Sequence, residues 1–259
     1  MYISLTNTIG ALKRSGGGGD TTSFITTWRT TTASETITIP TDGTGYNYAI
    51  STSDGQSFSG VTGNQAITFA VAGDYDVKIS GDFPRIYFND GVDKDKIIDV
   101  KQWGNIAWDS FRNAFYGCSN FVGTFTDKPN LSAVTSLNSA FRSATSFNQP
   151  LDWDISNVTS MNRTFLSATS FNQPLDWDIS NVTDMSYLLA GVTLSTTNYD
   201  SILIGWEATL QAAFPSGAGY TPTINVHFGN SEYTGGGAAA TARASLISNF
   251  GWTITDGGI

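Results

Sequence analysis

The sequence predicts an α+β chain built in three parts: an antiparallel β-sandwich, a short solenoid of repeats and a mixed α/β cap. Three observations support this prediction. Short alternating runs fill the first part of the chain, the string TSFNQPLDWDISNVT occurs at 145–159 and again at 169–183, and helical spacing of apolar residues begins after residue 194. The predicted boundaries give a sandwich at 21–90, a solenoid at 91–194 and a cap at 195–259.

The predicted sandwich is based on residues that alternate between apolar and polar side chains, as strands with one buried face do. The run 36–39, which reads TITI, is one example. The pairs Asp42-Gly43, Asp54-Gly55 and Gly73-Asp74 supply turn residues between such runs. Strands spaced by roughly ten residues are typical of an antiparallel sandwich.

The repeats recur every 24 residues in their best copies, and degenerate copies flank them. A unit this short cannot bury its own apolar side, so it must stack on neighbouring copies. In each unit, an alternating segment such as 151–155 favours a strand, and Thr159 and Ser160 are suited to cap a short helix. This length falls in the leucine-rich-repeat range of about 20–29 residues.

The two ends of the chain break the repeat pattern. Apolar residues from Tyr199 to Ala213 have helical spacing, and 238–249 predicts a second helix. Such a segment would close the open end of a solenoid. At the other end, residues 1–20 form a predicted arm with a glycine hinge. Its apolar residues are candidates for an anchor in a larger assembly, with a disordered tail or an added strand as alternatives: Ile3, Leu5, Ile9 and Leu12.

Composition excludes several classes of function. The formal net charge is −9, and no run of Lys and Arg exists, so nucleic acid is not expected as a partner. No apolar stretch is long enough to insert in a membrane as a helix. Cys118 is the only cysteine, and it is expected to be a small buried side chain.

The candidate ligand-binding residues lie on the polar side of the two best repeats. Leu151, Trp153 and Ile155 share one side of the predicted strand, and aspartates alternate with them. Stacked carboxylates repel each other unless a cation, a basic partner or water relieves them. This side is therefore either a ligand-binding surface or a solvated face. The candidate residues are Asp152, Asp154, Asp176 and Asp178.

A weaker metal candidate lies near the start of the repeats. Asp90, Asp93 and Asp95 are dense enough to suggest Ca²⁺, but the spacing of a calcium-binding loop is absent and lysines interleave. No cofactor is expected, with Ca²⁺ left open. A single histidine, His227, supports neither a catalytic triad nor a multi-histidine metal site, so no catalytic residue is predicted.

The unit FNQPLDWDISNVTSM at 147–161 closely resembles the BspA-like leucine-rich repeats, the DUF285 group. The segments at 198–210 and 251–258 resemble the closing segment of such proteins. The segments FITTWRTT at 24–31 and GDFPRIYFNDGVDKDKI at 81–97 resemble a PKD-like module that precedes such repeats. The resemblance implies a non-enzymatic surface adhesin.

We therefore expect a bacteriophage virion surface protein: an adhesin of a tail fibre, tail tip or capsid that binds a host glycan or protein. The start of the chain motivates the virion, since it lacks the pattern of a signal peptide. Other virion proteins are the expected partners of the arm, and a homo-oligomer is left open. Three alternatives remain: a purely structural virion protein, a secreted or surface-bound bacterial adhesin, and a polysaccharide depolymerase.

Overall fold

The computed structural model describes residues 20–259, and the predicted anchor residues Ile3, Leu5, Ile9 and Leu12 lie outside this range. The elements of the described part are as follows. The strands are β1 (Phe24–Thr30), β2 (Glu35–Ile39), β3 (Asn47–Thr52), β4 (Ser57–Val61), β5 (Gln65–Phe69), β6 (Gly73–Asp82), β7 (Ile97–Gln102), β8 (Asn225–His227) and β9 (Thr253–Thr255). The helices are α1 (Thr196–Ala213) and α2 (Ala238–Ser248), and a 3₁₀ turn covers Pro215–Gly217.

The largest sheet has five strands in the order β4-β3-β6-β1-β7, and each neighbouring pair is antiparallel. Alternation along β1 turns Phe24 and Trp28 into the core and leaves Arg29 exposed. A separate antiparallel pair, β2-β5, adds Ile37 and Phe69 to the same core. The alternating runs of the sequence are therefore strands.

The predicted β-sandwich is nevertheless wrong. The second sheet has only two strands, and the large sheet takes its fifth strand, β7, from 97–102, a segment predicted to belong to the repeats. Ile97 and Val100 of β7 are fully buried. This apolar burial draws β7 to the edge of β1, so the sheet extends towards the repeats.

The predicted solenoid, with a strand and a short helix in each unit, is also wrong. Residues 103–194 contain turns and isolated parallel bridges, with no strand or helix in that range. Ser139, Ser143, Arg163 and Ser167 have φ between 54° and 60°. A residue in this left-handed region cannot continue a right-handed helix, so each predicted helix is broken into turns. The α+β character of the chain as a whole is retained.

Backbone hydrogen bonds hold neighbouring repeats together. Alternate N–H groups in the turn segment of one unit donate to carbonyl groups of the next unit, and the groups between them close turns within their own unit. This satisfies buried backbone donors without regular strands. In four of these bonds the donor nitrogen lies 2.8–2.9 Å from the acceptor oxygen. The donor is named first in each pair: Leu137 and Ser160, Phe141 and Thr164, Met161 and Asp184, and Phe165 and Leu188.

Phenylalanine rings form the core of the repeats. Phe141 and Phe147 of one unit stack with centroids 4.4 Å apart, and Phe165 and Phe171 of the next unit stack at 4.1 Å. Rings of neighbouring units also stack, with 5.6 Å between Phe141 and Phe165. Offset stacking contributes about 0.5–1.5 kcal/mol per pair beyond the buried area.

The C-terminal region covers the last repeat. The two predicted helices and the predicted strand near Val226 are present as α1, α2 and β8, and β8 pairs in parallel with β9. The backbone N–H of Leu189 donates to the carbonyl of His227 at 2.9 Å. The residue one repeat earlier, Phe165, donates to the next repeat, so β8 takes the place that a further repeat would occupy. Trp206 of α1 donates its indole N–H to the carbonyl of Leu175 at 2.8 Å.

Gly229 marks the closest approach between this region and the last repeat, and substitution there should disrupt the junction. Its φ is +65°, and an added Cβ would lie 1.7 Å from the carbonyl oxygen of Val192. We expect Gly229→Ala to lower the free energy of unfolding by about 3 kcal/mol or more, from backbone strain and overpacking together. Urea titration would measure the loss.

Gly236→Ala is the matched control, because Gly236 has φ +72° and open space around its Cβ position. It should lose only about 1 kcal/mol, from backbone strain alone. Equal losses in the two variants would contradict the close packing at Gly229.

Candidate functional site: an acidic face on the repeats

The four predicted aspartates lie together on the outside of the repeats. Asp152 and Asp154 are exposed, while Leu151, Trp153 and Ile155 between and beside them are buried. The next unit repeats this arrangement, with exposed Asp176 and Asp178 around a buried Trp177. We call these four aspartates the acidic face.

The alternation has a structural cause. The Trp153 side chain is 5% exposed and packs edge-on against Trp103 and Phe111, at 5.5 Å between centroids in both cases. Trp177 donates its indole N–H to the carbonyl of Leu151 at 2.8 Å. The tryptophans therefore anchor the repeat to the core, and the aspartates on either side of each ring face outward.

Two of the aspartates are held by their own backbone. Asp154 accepts a hydrogen bond from the N–H of Ser156 at 3.0 Å, and Asp178 accepts one from the N–H of Ser180 at 2.9 Å. The hydrogen bond from the Ser156 N–H, together with a second one from the Ser156 side chain, lowers the pKa of Asp154 below the usual value for an aspartate. In both turns the backbone N–H contacts Oδ1, so the exposed carboxylate is held in a defined orientation.

Positive charge near the acidic face is limited. Lys128 contacts Asp152 with 2.5 Å between Nζ and Oδ2, and both side chains are largely exposed. Such a surface pair contributes roughly 0–1 kcal/mol and is screened by salt. Within residues 20–259, Asp154, Asp176 and Asp178 have no ion-pair partner. Ionised carboxylates only accept hydrogen bonds, so this face suits cations, guanidinium or ammonium groups, and hydroxyl donors.

A shallow groove lies at one end of the acidic face. Asp176 and Asp178 line it together with Thr209 and Ala212 of α1, and its volume is about 480 Å³. Helix α1 is placed there by the bond between Trp206 and Leu175. The groove therefore combines two carboxylates with a small-residue wall that leaves them accessible.

The weaker metal candidates are not brought together. Asp93 pairs with Lys96 at 2.9 Å, and Asp95 pairs with Lys94 at 3.0 Å. Asp90 lies 3.9 Å from Lys94. In the described part of the chain, no group of three or more His, Cys, Asp and Glu side chains could hold a metal ion.

Sequence reasoning missed Lys128, the one cation that pairs with the acidic face within residues 20–259. It lies 24 residues before Asp152, which is one repeat length, and Asp152 contacts it directly. Alignment by the 24-residue period would have placed it there, but this first unit is too degenerate for its register to be certain from sequence alone. The groove against α1 could not be found from sequence, because it depends on how the helix packs.

Part of the chain matches a known protein family. Residues 88–209 match a family described as "Mycoplasma protein of unknown function, DUF285". The chain therefore contains a DUF285 domain, which covers the repeats and the first part of α1, and the resemblance of the repeats to this group is confirmed. No curated protein and no solved structure matches the chain.

Neither α1 nor any other helix in residues 20–259 has the length and apolar character needed to cross a bilayer.

The pKa of Asp154 offers a direct test of the turn that orients it. The pKa of Asp154 is lower in the folded chain than in the unfolded chain, where it is about 3.9. Its stabilising effect on the fold is therefore fully present at pH values above the pKa of the unfolded chain. The stabilisation is lost as pH falls through the lower, folded pKa. We expect ¹³C NMR titration of the carboxyl carbon to give a midpoint below 3.8.

The variant Asp154→Asn should lose less stability than the wild type as pH falls below about 4, since Asn does not titrate. A midpoint at or above the ordinary value for Asp154 would contradict the contact with Ser156.

Proposed function

We propose that the protein is a non-enzymatic attachment protein that binds a glycan or protein on a host-cell surface through its acidic face. One observation carries this proposal: four exposed carboxylates are displayed at regular intervals on a rigid support, with Lys128 as their only ion-pair partner in the described chain. Repeat proteins commonly use such extended surfaces for binding.

The environment of the carboxylates favours binding over acid–base chemistry. A carboxylic acid that donates a proton near neutral pH needs burial or a close like charge to raise its pKa. All four aspartates are exposed, and the hydrogen bonds that Asp154 accepts from Ser156 favour its charged form. Exposed carboxylates of this kind suit a binding surface better than a proton-donating site.

Rigidity makes such a surface effective. The residues that alternate with the aspartates are buried in the ring core, and the turns at Ser156 and Ser180 orient two carboxylates before any ligand arrives. A preorganised site loses little conformational entropy on binding. Uncompensated charge also speeds the encounter with a partner of opposite sign, over about 8 Å at physiological salt.

The partner is therefore either a surface protein with exposed Lys and Arg or a hydroxyl-rich glycan, directly or through bridging Ca²⁺. The proposed setting is the surface of a bacteriophage particle. With one buried cysteine, folding requires no oxidising compartment, and this is compatible with assembly inside a bacterial cytoplasm. Mass spectrometry of purified particles would test that setting, and absence of the protein from them would contradict it.

The attachment role is tested by removing charge from the acidic face. The variant with Asp152, Asp154, Asp176 and Asp178 all changed to Asn keeps side-chain size and the turn contacts. We expect labelled protein to bind intact host cells at least tenfold more weakly after this change, as measured by flow cytometry. Wild-type binding should also weaken as salt rises, because the contact is electrostatic.

A charge-matched control removes four exposed aspartates elsewhere: Asp42, Asp54, Asp82 and Asp109. Changing these to Asn alters net charge equally and should leave cell binding within about twofold of wild type. Equal binding by the acidic-face variant and the wild type would refute the proposed surface. A chelator distinguishes the two kinds of contact, since EDTA abolishes only binding that needs Ca²⁺.

A further inference from the structure

A second groove lies at the C-terminal end of the repeats. Its volume is about 350 Å³, and it is formed where the last repeat meets the parallel pair β8-β9. The residues that line it are Ser186, Tyr187, Asn225, Val226, His227, Thr253 and Thr255. None of the four aspartates of the acidic face contributes to it.

Tyr187 is unusual for its position in the repeat. It is 51% exposed, one of few large hydrophobic side chains in the described chain with this exposure. Its φ is 58°, and the equivalent residues of earlier units are Asn113, Ser139 and Arg163. Asparagine and other small polar residues adopt this left-handed conformation at lower cost than a bulky aromatic residue does.

The Tyr187 ring is held in place by a cation from the preceding repeat. The guanidinium carbon of Arg163 lies 5.3 Å from the ring centroid. Arg163 is itself oriented by a hydrogen bond to Asn162 at 3.2 Å. Such a contact contributes about 0.5–1 kcal/mol at an exposed site. A single guanidinium can cover only one face of a ring, so the half-exposed tyrosine presents aromatic surface to the groove that it lines.

The floor of the groove is a block of four polar side chains. Asn225 pairs with Thr253, and His227 pairs with Thr255, so all four lie on one side of the two-stranded sheet. Val226, between them in β8, is buried. Strand geometry places these side chains about 4.8 Å apart across the pair and about 6.6 Å apart along each strand.

His227 has a defined hydrogen-bonding role in this block. Its Nδ1 accepts a hydrogen bond from the N–H of Gly229 at 2.9 Å. In the neutral ring the proton therefore resides on Nε2, which is a donor. Asn225 supplies both a donor and an acceptor, and the threonine hydroxyls supply either. Among the described residues, none of the side chains that line the groove is a carboxylate, lysine or arginine.

From this arrangement we infer that the groove binds a neutral hexopyranose unit of a saccharide. The C–H face of a pyranose ring packs against an aromatic ring, which Tyr187 supplies, while its hydroxyl groups need paired donors and acceptors at intervals of a few ångströms. The β8-β9 block supplies these over an area comparable to one sugar ring. A concave site with few convergent polar groups is typical of small-ligand binding.

Saturation-transfer-difference NMR on the full chain tests this inference. The probes are methyl α-D-glucopyranoside, methyl α-D-galactopyranoside and N-acetyl-D-glucosamine, each at millimolar concentration. At least one should show saturation transfer to its ring C–H protons in the presence of the wild type. Tyr187→Ser should weaken binding at least tenfold, and this variant should fold, because Ser139 occupies the equivalent position with φ 54°.

Two further variants separate stacking from a general effect on the surface. Tyr187→Phe keeps the ring and should retain binding within about threefold. Tyr116→Ala removes another tyrosine that lies under an arginine, with Arg142 4.5 Å from its centroid, and this change should have no effect. Absence of saturation transfer from all three sugars, or equal binding by Tyr187→Ser and the wild type, would overturn the inference. The acidic-face variant should bind these sugars normally, so failure of either proposal leaves the other intact.

Discussion

The junction between β7 and the first repeat is the constraint on which the rest of the molecule depends. One edge of β7 pairs with β1 of the large sheet. From its other edge, the carbonyls of Ile98 and Val100 accept hydrogen bonds from Val122 and Thr124, at 3.0 Å each. The same strand is therefore the last member of the sheet and the first layer of the repeats, and it sets the register in which every later unit stacks.

That register explains how units without regular strands or helices remain ordered. Each unit bonds to the next through alternate backbone groups, and its phenylalanines stack on those of its neighbours. The left-handed residues in each turn allow the chain to direct alternate N–H groups outward to the next unit. The C-terminal region then meets the open carbonyl and N–H groups of the last unit, so a single hydrophobic core extends from Phe24 to Trp252.

This construction divides each repeat between structure and surface. Trp153 and Trp177, which are natural candidates for sugar stacking by residue type, are buried and support the fold. Side chains that stacking does not use are free to meet a partner, and these include the aspartates of the acidic face and, at the C-terminal end, Tyr187 with the β8-β9 block. The two proposed surfaces differ in chemistry, one anionic and one neutral and aromatic, and so they suit different ligands.

The sequence by itself determined the local alternation, the 24-residue repeat, the two helices and the outward direction of the four aspartates, because these follow from periodicity and side-chain burial. It also identified the DUF285 group from the repeated unit. Only the tertiary structure decided that β7 joins the large sheet, that the repeats form turns instead of strands and helices, and that Tyr187 lies beside His227. The reason is physical: 151–155 has the alternation of a strand, but strand formation requires backbone hydrogen bonds to a neighbouring segment in register. Here the indole N–H of Trp177 bonds the carbonyl of Leu151, which a strand would offer to a backbone N–H. Contacts between residues far apart in the chain, such as Leu189 with His227, leave no periodic trace in the sequence.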